Sequence, residues 1–264
     1  MEKVDYKTLK LELEAGVAII TMNRPKAMNA MDTEMRKELL FALNAVNIDP
    51  EVKVILLTGS GNVFCVGADL QDGISNDVLK HTEQVTRDEF NPLITSIVDA
   101  KKPVMAVING AAAGAGASLA LACDLIVMSE NAYIYQAFTQ IGLIPDCGMT
   151  WHLSRRLGYY KTFEVIADPK PMKAEECLQL NLANKIFPES ELFSQSLGWA
   201  KQIATAPPLA LKYAKKVLRD GLSQNLEDVI SIEAEFQGQI AKSNDVKNAI
   251  HGFFEKRKPF FTGH

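Results

Sequence analysis

One carboxylate stands in a markedly apolar stretch of the chain, GLIPDCGMTW at residues 142–151. Asp146 lies between Pro145 and Cys147, and an ionised carboxyl in such surroundings loses favourable hydration. Pro-Asp-x-Gly is also common turn chemistry, in which the Asp side chain caps a helix that begins near Gly148. The stretch by itself therefore leaves two interpretations open, a turn former and a general acid or base.

A second stretch, INGAAAGAGASLALACD at residues 108–124, places small residues between a strand and a helix. Free amides at the start of such a helix are a ready site for an anion. A dinucleotide fingerprint GxGxxG is excluded because Leu119 stands at the third glycine position. A nucleophile elbow GxSxG is excluded because Leu119 and Ala120 follow Ser118. Close helix packing through small residues remains the alternative to an oxyanion site.

A third stretch is FCVGADL at residues 64–70. Gly67 permits the backbone to approach a ligand closely, and Asp69 is suited to hold the turn by bonding nearby amides. Taken alone, this stretch predicts a loop after a strand and no more.

The strands that must position these stretches follow from hydrophobic periodicity. Alternating residues predict a β-hairpin over 9–22, and short apolar runs predict buried strands at 52–59, 101–110 and 124–130. Strand, turn, helix and strand recur in this order, which indicates an α/β fold with largely parallel strands.

The helices follow from the spacing of apolar residues. A helix is predicted from Asn29 to about Val46, with Asp32 near its start as a cap. From about Ser194 the pattern is helical to the end of the chain, with an interruption at Pro207 and Pro208.

Composition and charge narrow the classes of function. The chain has 264 residues, of which 47% are hydrophobic and 23% charged, as in ordinary globular proteins. The net charge of −4 gives no general attraction to nucleic acid or to an anionic membrane. No signal-peptide core and no run approaching ~20 apolar residues is found, so we expect a soluble cytoplasmic protein. The four cysteines and four histidines lack metal-ligand spacing, and we predict no metal site.

The three stretches occur in order with two further motifs, NRPKAMNAMD at 23–32 and FFEKRKPFF at 253–261. Together they resemble the crotonase family of acyl-CoA hydratases and isomerases over almost the whole chain. The resemblance implies an α/β fold, a spiral of ββα units with two near-perpendicular sheets flanked by helices. It implies a core with the acyl-CoA site at residues 1–195 and a C-terminal helical trimerisation region at 196–264.

The same resemblance implies the partners and the site. We expect an acyl-CoA thioester substrate, a homotrimer or dimer of trimers, and no cofactor apart from the coenzyme A of the substrate. The family's oxyanion hole, two backbone N–H groups, falls on Ala68 and Ala115. Such donors would stabilise the enolate of a thioester. The residues implied in binding the substrate or its coenzyme A are Lys26, Ala27, Met28, Gly67, Asp69, Gly114, Phe138, Leu143, Phe253 and Lys256. Arg24 is left open between a phosphate contact and a surface salt bridge.

The carboxylates decide which family reaction to expect. Family hydratases use two glutamates, and the matching positions here are Ser118 and Phe138, so ordinary hydration should be weak. Asp146 stands where family isomerases carry their catalytic acid, and isomerisation needs only one acid or base. We expect Phe138, Leu143 and Ile144 to raise the Asp146 pKa by desolvation. We therefore predict an enoyl-CoA isomerase of lipid metabolism, as in fatty acid β-oxidation, which moves a double bond from the 3- to the 2-position.

Three alternatives stay open. The 1,2-epoxyphenylacetyl-CoA isomerases of aromatic degradation have an aspartate in a very similar context. A weak hydratase would need another acid, for which Asp88 and Glu89 are the candidates. A non-catalytic acyl-CoA binder would keep the coenzyme A contacts without chemistry.

Overall fold

The computed structural model describes residues 5–75 and 78–264, which form ten strands and eleven α-helices. The strands are β1 (Leu9–Glu14), β2 (Val17–Met22), β3 (Val54–Gly59), β4 (Val63–Cys65), β5 (Val104–Ile108), β6 (Ala111–Ala113), β7 (Leu125–Ser129), β8 (Tyr133–Tyr135), β9 (Met172–Lys173) and β10 (Lys185–Phe187). The helices are α1 (Thr33–Ile48), α2 (Leu70–Ser75), α3 (Thr82–Val85), α4 (Asn91–Val98), α5 (Ala115–Ala122), α6 (Met149–Ala167), α7 (Ala174–Gln179), α8 (Glu189–Ala204), α9 (Pro208–Asp220), α10 (Leu226–Ile240) and α11 (Asn244–Phe254).

Two sheets organise the described part of the chain. The larger has six strands in the order β1-β2-β3-β5-β7-β10, and the smaller has four in the order β4-β6-β8-β9. Only β1 with β2 and β8 with β9 pair antiparallel among these strands, while the other pairings are parallel. The prediction of an α/β fold with largely parallel strands is confirmed.

The central strands of the larger sheet are buried on both faces. On β3, Ile55 and Leu57 belong to the main core with α1 and α4, whereas Val54 and Leu56 pack with Leu197 of α8. Both faces therefore demand apolar residues, which explains why β3 is a continuous apolar run. Burying each such side chain contributes about 1.5–3 kcal/mol to folding.

The first helix begins later than predicted. Met28 and Asn29 have φ angles of 51° and 54°, so both are left-handed and cannot belong to a right-handed helix. The helix begins at Thr33, and the carboxylate of Asp32 accepts a hydrogen bond from the Met35 N–H at 2.8 Å. The predicted cap is confirmed, and the predicted start at Asn29 is wrong.

The predicted boundary between residues 195 and 196 falls inside α8. Leu192, Leu197 and Ala200 of this helix pack on the larger sheet, so α8 is continuous with the core. Within the described residues, no strand follows β10, and α9, α10 and α11 complete the chain. None of the described helices is both long enough and apolar enough to cross a membrane.

Candidate active site

The loop after β4 presents one free backbone amide. Met31 N–H donates to Gly67 O at 2.7 Å, and Asp69 N–H donates to Met31 O at 3.1 Å. Because both bonds of this parallel bridge use the neighbours of Ala68, the Ala68 N–H points away from Met31. Among the described residues it donates to no protein acceptor.

Asp69 anchors this loop. Its carboxylate accepts hydrogen bonds from Arg24 Nη1 at 2.9 Å and from the N–H groups of Gln71 at 3.0 Å and Asp72 at 3.4 Å. Burial disfavours the ionised form, but these bonds and the Arg24 charge outweigh it and lower the Asp69 pKa. Arg24 also pairs with Asp32 at 3.0 Å, so the structure shows it in salt bridges. A direct role of Asp69 toward coenzyme A stays a prediction.

The start of α5 presents the second amide. Gly114 precedes the helix with φ 51°, and its N–H donates to Tyr135 O at 2.9 Å. Ala115 is the first helical residue, and its N–H has no acceptor among the described residues. The helix therefore begins with a free amide where its dipole favours negative charge.

Two glycines allow these amides to share one site. A Cβ on Gly67, whose φ is 102°, would lie 3.1 Å from Ala115 N, so the two loops touch at this point. A Cβ on Gly116 would lie only 2.2 Å from Cys65 O. The start of α5 thus packs against the end of β4 at a distance that only glycine permits. The resulting pair of adjacent free N–H groups is suited to hold one developing oxyanion.

The Asp146 side chain does not cap α6. Gly148 is the N-cap residue of α6 and provides no side-chain bond, and it is the backbone carbonyl of Asp146 that accepts the Met149 N–H at 3.0 Å. The interpretation of Asp146 as a helix cap is therefore wrong. Its Oδ1 atom is buried and has no hydrogen-bond partner among the described residues. Burial raises the pKa of this carboxyl and outweighs the opposing effects of the Cys147 side chain and of the Asp146 backbone N–H.

The Asp146 backbone is held from two sides. Ser118 Oγ, on α5, donates to Asp146 O at 3.1 Å, which adds to the bond from Met149 N–H. Cys147 and Gly148 follow with φ angles of 52° and 77° and turn the chain into α6. The loop that carries the carboxyl is thereby tied to the helix that carries the Ala115 amide.

Of the three apolar side chains expected to shield Asp146 from water, only one is buried. Phe138 is buried, and its carbonyl accepts the Leu143 N–H at 3.0 Å. Leu143 is 42% exposed and Ile144 is 81% exposed. Because Ile144 points to solvent, it contributes little to the burial of Asp146, contrary to the expectation that it would help to desolvate this carboxyl.

Three other titratable side chains, those of Glu89, Asp88 and His152, differ from Asp146 in pairing, exposure or charge. Glu89 accepts from Arg36 Nε at 2.7 Å, and Arg36 is itself buried. Asp88 is exposed. His152 is buried, and its desolvation and nearby arginines lower its pKa to about 3, so it is neutral near pH 7. No group of three His, Cys, Asp or Glu side chains able to hold a metal ion is found in the described ranges.

The residues predicted for coenzyme A fall into two places. Lys26, Ala27 and Met28 lie in a 3₁₀ turn and the residue after it, and Met28 O accepts the Val66 N–H at 3.3 Å, which joins this turn to the Ala68 loop. Phe253 and Lys256 lie exposed at and just after the end of α11. No hydrogen bond or ion pair links these two to the other predicted site residues within the described chain.

Two contributors to the site were not predicted from the sequence. Met31 orients the Ala68 amide, and Ser118 holds the Asp146 backbone. The bond from Ser118 spans 28 residues and ends on a backbone carbonyl, so no residue type at position 146 reveals it.

The chain is similar in sequence and in structure to known proteins. A family model described as "Enoyl-CoA hydratase/isomerase" matches residues 12–264. A Rhodobacter capsulatus protein named "Probable enoyl-CoA hydratase" is 39% identical, over 98% of this chain and 100% of its own. The Escherichia coli 1,2-epoxyphenylacetyl-CoA isomerase is 32% identical, over 95% of this chain and 97% of its own. A crystal structure of an enoyl-CoA hydratase from Polaromonas sp. JS666 has a TM-score of 0.90 at 31% identity, covering 96% of this chain and 99% of that one.

Proposed function

The chain belongs to the enoyl-CoA hydratase/isomerase family, and we propose that within it the protein is an isomerase that moves the double bond of an enoyl-CoA from the 3- to the 2-position. The observation that carries the proposal is the buried, unpartnered Oδ1 of Asp146 on a loop bonded to α5. Such a carboxyl, with its pKa raised by burial, is suited to take up a proton and return it.

The proposed reaction uses one carboxyl and two amides. Asp146 takes a proton from C2 of the 3-enoyl thioester, and the electron pair shifts to the thioester oxygen as a dienolate forms. The N–H groups of Ala68 and Ala115 hold that negative charge. The protonated Asp146 then returns the proton at C4, the double bond forms between C2 and C3, and no water is consumed. Removing one such oxyanion donor typically costs ~10²–10³ in rate.

Hydration is the disfavoured family reaction at this site. It needs a group that deprotonates water and a proton source for the carbon. Ser118 is fully buried with its hydroxyl bonded to Asp146 O, and Phe138 has no ionisable group. Of the two acids left open as substitutes, Glu89 is paired with the buried Arg36 and Asp88 is exposed. The lack of a second available acid or base supports isomerisation over addition of water.

The test compares wild type, Asp146→Asn and Asp88→Asn on 3-hexenoyl-CoA and crotonyl-CoA. With 3-hexenoyl-CoA, the assay follows formation of the conjugated thioester. With crotonyl-CoA, it follows loss of the conjugated double bond by hydration. We expect isomerisation by wild type and Asp88→Asn that collapses in Asp146→Asn, with little hydration by any of them. Asp88 is the control because it is an exposed acid that receives the same change of side chain. Isomerisation that survives in Asp146→Asn would contradict the proposal.

A second candidate activity is that of the Escherichia coli relative, which is named 1,2-epoxyphenylacetyl-CoA isomerase and aligns over nearly the whole of both chains. The same oxyanion donors and a single carboxyl would serve it. Turnover of an aromatic epoxide thioester without turnover of 3-hexenoyl-CoA would favour this activity. Binding of acyl-CoA without turnover of either substrate would indicate a non-catalytic binder.

A further inference from the structure

Ser118 lies between the two parts of the site. It is on α5, three residues after Ala115, and its side chain is fully buried. At about 1.5 Å of rise per residue, Ser118 lies less than one helical turn from the amide at the helix start. Its hydroxyl lies within hydrogen-bond distance of two backbone carbonyls.

Two backbone carbonyls lie within hydrogen-bond distance of the Ser118 hydroxyl. Gly114 O, one turn back on the same helix, lies at 3.4 Å, and Asp146 O lies at 3.1 Å. A hydroxyl carries one proton, and the shorter distance favours donation to Asp146. Ser118 therefore forms a bond between elements where a serine in a helix often bonds only its own helix.

The bond from Ser118 holds the backbone immediately before a sharp turn. Two successive left-handed residues, Cys147 and Gly148, follow Asp146 and turn the backbone sharply into α6. Without the bond from Ser118, the Asp146 carbonyl is held only by Met149 N–H, which belongs to α6 itself. Nothing else among the described hydrogen bonds joins the Asp146 peptide to α5.

We propose that Ser118 is a positioning residue that fixes the Asp146 carboxyl relative to the Ala115 amide. The inference rests on the proposed role of Asp146 as the proton shuttle. Charge develops on the thioester oxygen while the proton leaves C2 of the same substrate. The distance between base and oxyanion donor must therefore match the substrate closely, and a misplacement of about 1 Å can cost ~10²-fold in rate.

The test uses Ser118→Ala and Ser118→Cys, with Ser196→Ala as the matched control. Ser196 is also a fully buried helical serine, but it lies on α8 and its hydroxyl has no hydrogen-bond partner among the described residues. Each variant is assayed for kcat and KM on 3-hexenoyl-CoA across pH, and its stability is measured by urea unfolding. Asp146→Asn is assayed in parallel.

We expect Ser118→Ala to lower kcat by about 10- to 100-fold with little change in KM, because substrate binding is kept and the base is misplaced. A freed Asp146 becomes more hydrated, so the acid limb of the kcat profile should move to lower pH. Ser118→Cys, which keeps the size but donates weakly, should fall between wild type and alanine. Ser196→Ala should leave kcat and the limb unchanged.

Two results separate this inference from the function on which it rests. If Asp146→Asn keeps wild-type isomerisation, the proposed function fails, and the positioning role fails with it. If Asp146→Asn collapses while Ser118→Ala keeps kcat within about twofold, or loses no more than Ser196→Ala, only the positioning role of Ser118 is overturned. Should the alanine variant not fold, the same comparison is made with Ser118→Cys.

Discussion

Gly116→Ala is the substitution whose effect follows most directly from the geometry. Its new Cβ would lie 2.2 Å from Cys65 O, whereas real Cβ contacts essentially never fall below 3.0 Å. The difference means that the start of α5 must move away from β4 by at least 0.8 Å. The atom in the way is backbone, so no side-chain rotation relieves the contact.

This displacement should affect both stability and catalysis. Forcing a methyl group into a packed backbone contact typically costs about 1–3 kcal/mol of folding free energy. Moving the Ala115 amide by nearly 1 Å removes much of its bond to the oxyanion, so we expect kcat to fall by about 100-fold. The Ala68 amide, held by Met31, should stay in place.

Gly198→Ala is the control. Gly198 lies within α8, and an added Cβ there meets no atom within 4 Å. The same change should therefore stabilise the protein by about 0.5–1 kcal/mol through helix propensity and leave kcat unchanged.

The assay combines urea unfolding, at one protein concentration for all variants, with formation of the conjugated thioester from 3-hexenoyl-CoA. Wild-type stability and kcat in Gly116→Ala would refute the close approach of α5 to β4. Reduced stability with wild-type kcat would support the close approach of α5 to β4 but refute the role of the Ala115 amide.

Three further predictions concern the two aspartates. Because burial raises the Asp146 pKa and the base must be ionised, kcat should fall with decreasing pH at a midpoint above the ordinary Asp value of about 3.9, as a pH–rate profile would show. The raised pKa also means that the ionised carboxyl destabilises the fold, so Asp146→Asn should be more stable than wild type at neutral pH, and this gain in stability should vanish in acid. Urea unfolding at both pH values measures the gain, and a loss of stability at neutral pH would contradict the prediction. The pKa of Asp69 is lowered, so the stabilisation that its carboxylate provides is present at neutral pH and is lost as pH falls through the lowered pKa. Asp69→Asn should reduce the free energy of unfolding by about 1–3 kcal/mol at neutral pH and by less in strong acid. An equal reduction at both pH values would count against the pairing with Arg24.

The sequence by itself determined the elements whose signal is local. The continuous apolar runs of β3, β5 and β7 are required by burial on both faces, and periodicity reveals such strands directly. The Asp32 cap follows from a bond to an amide three residues away. The order of the motifs was sufficient to indicate the family, which the match over residues 12–264 confirms.

Tertiary structure decided what depends on contacts between distant residues. The family resemblance implied a second sheet, but periodicity did not locate its strands. The strands β4, β6 and β8 have three residues each and β9 has two, too short for a period to appear. The start of α1 was placed wrongly because left-handed backbone at Met28 and Asn29 leaves no mark on the apolar spacing.

The same division applies to the candidate site. Pro-Asp-x-Gly is compatible with both a capping and an unpaired carboxyl, and only the folded chain leaves Oδ1 of Asp146 buried without a partner. The direction of the Ala68 amide depends on Met31, and the position of the Asp146 backbone depends on Ser118. Sequence determines which groups are available, but backbone bonds across the fold decide which of them remain free, because a hydrogen bond to a carbonyl or amide is compatible with almost any side chain at the receiving residue.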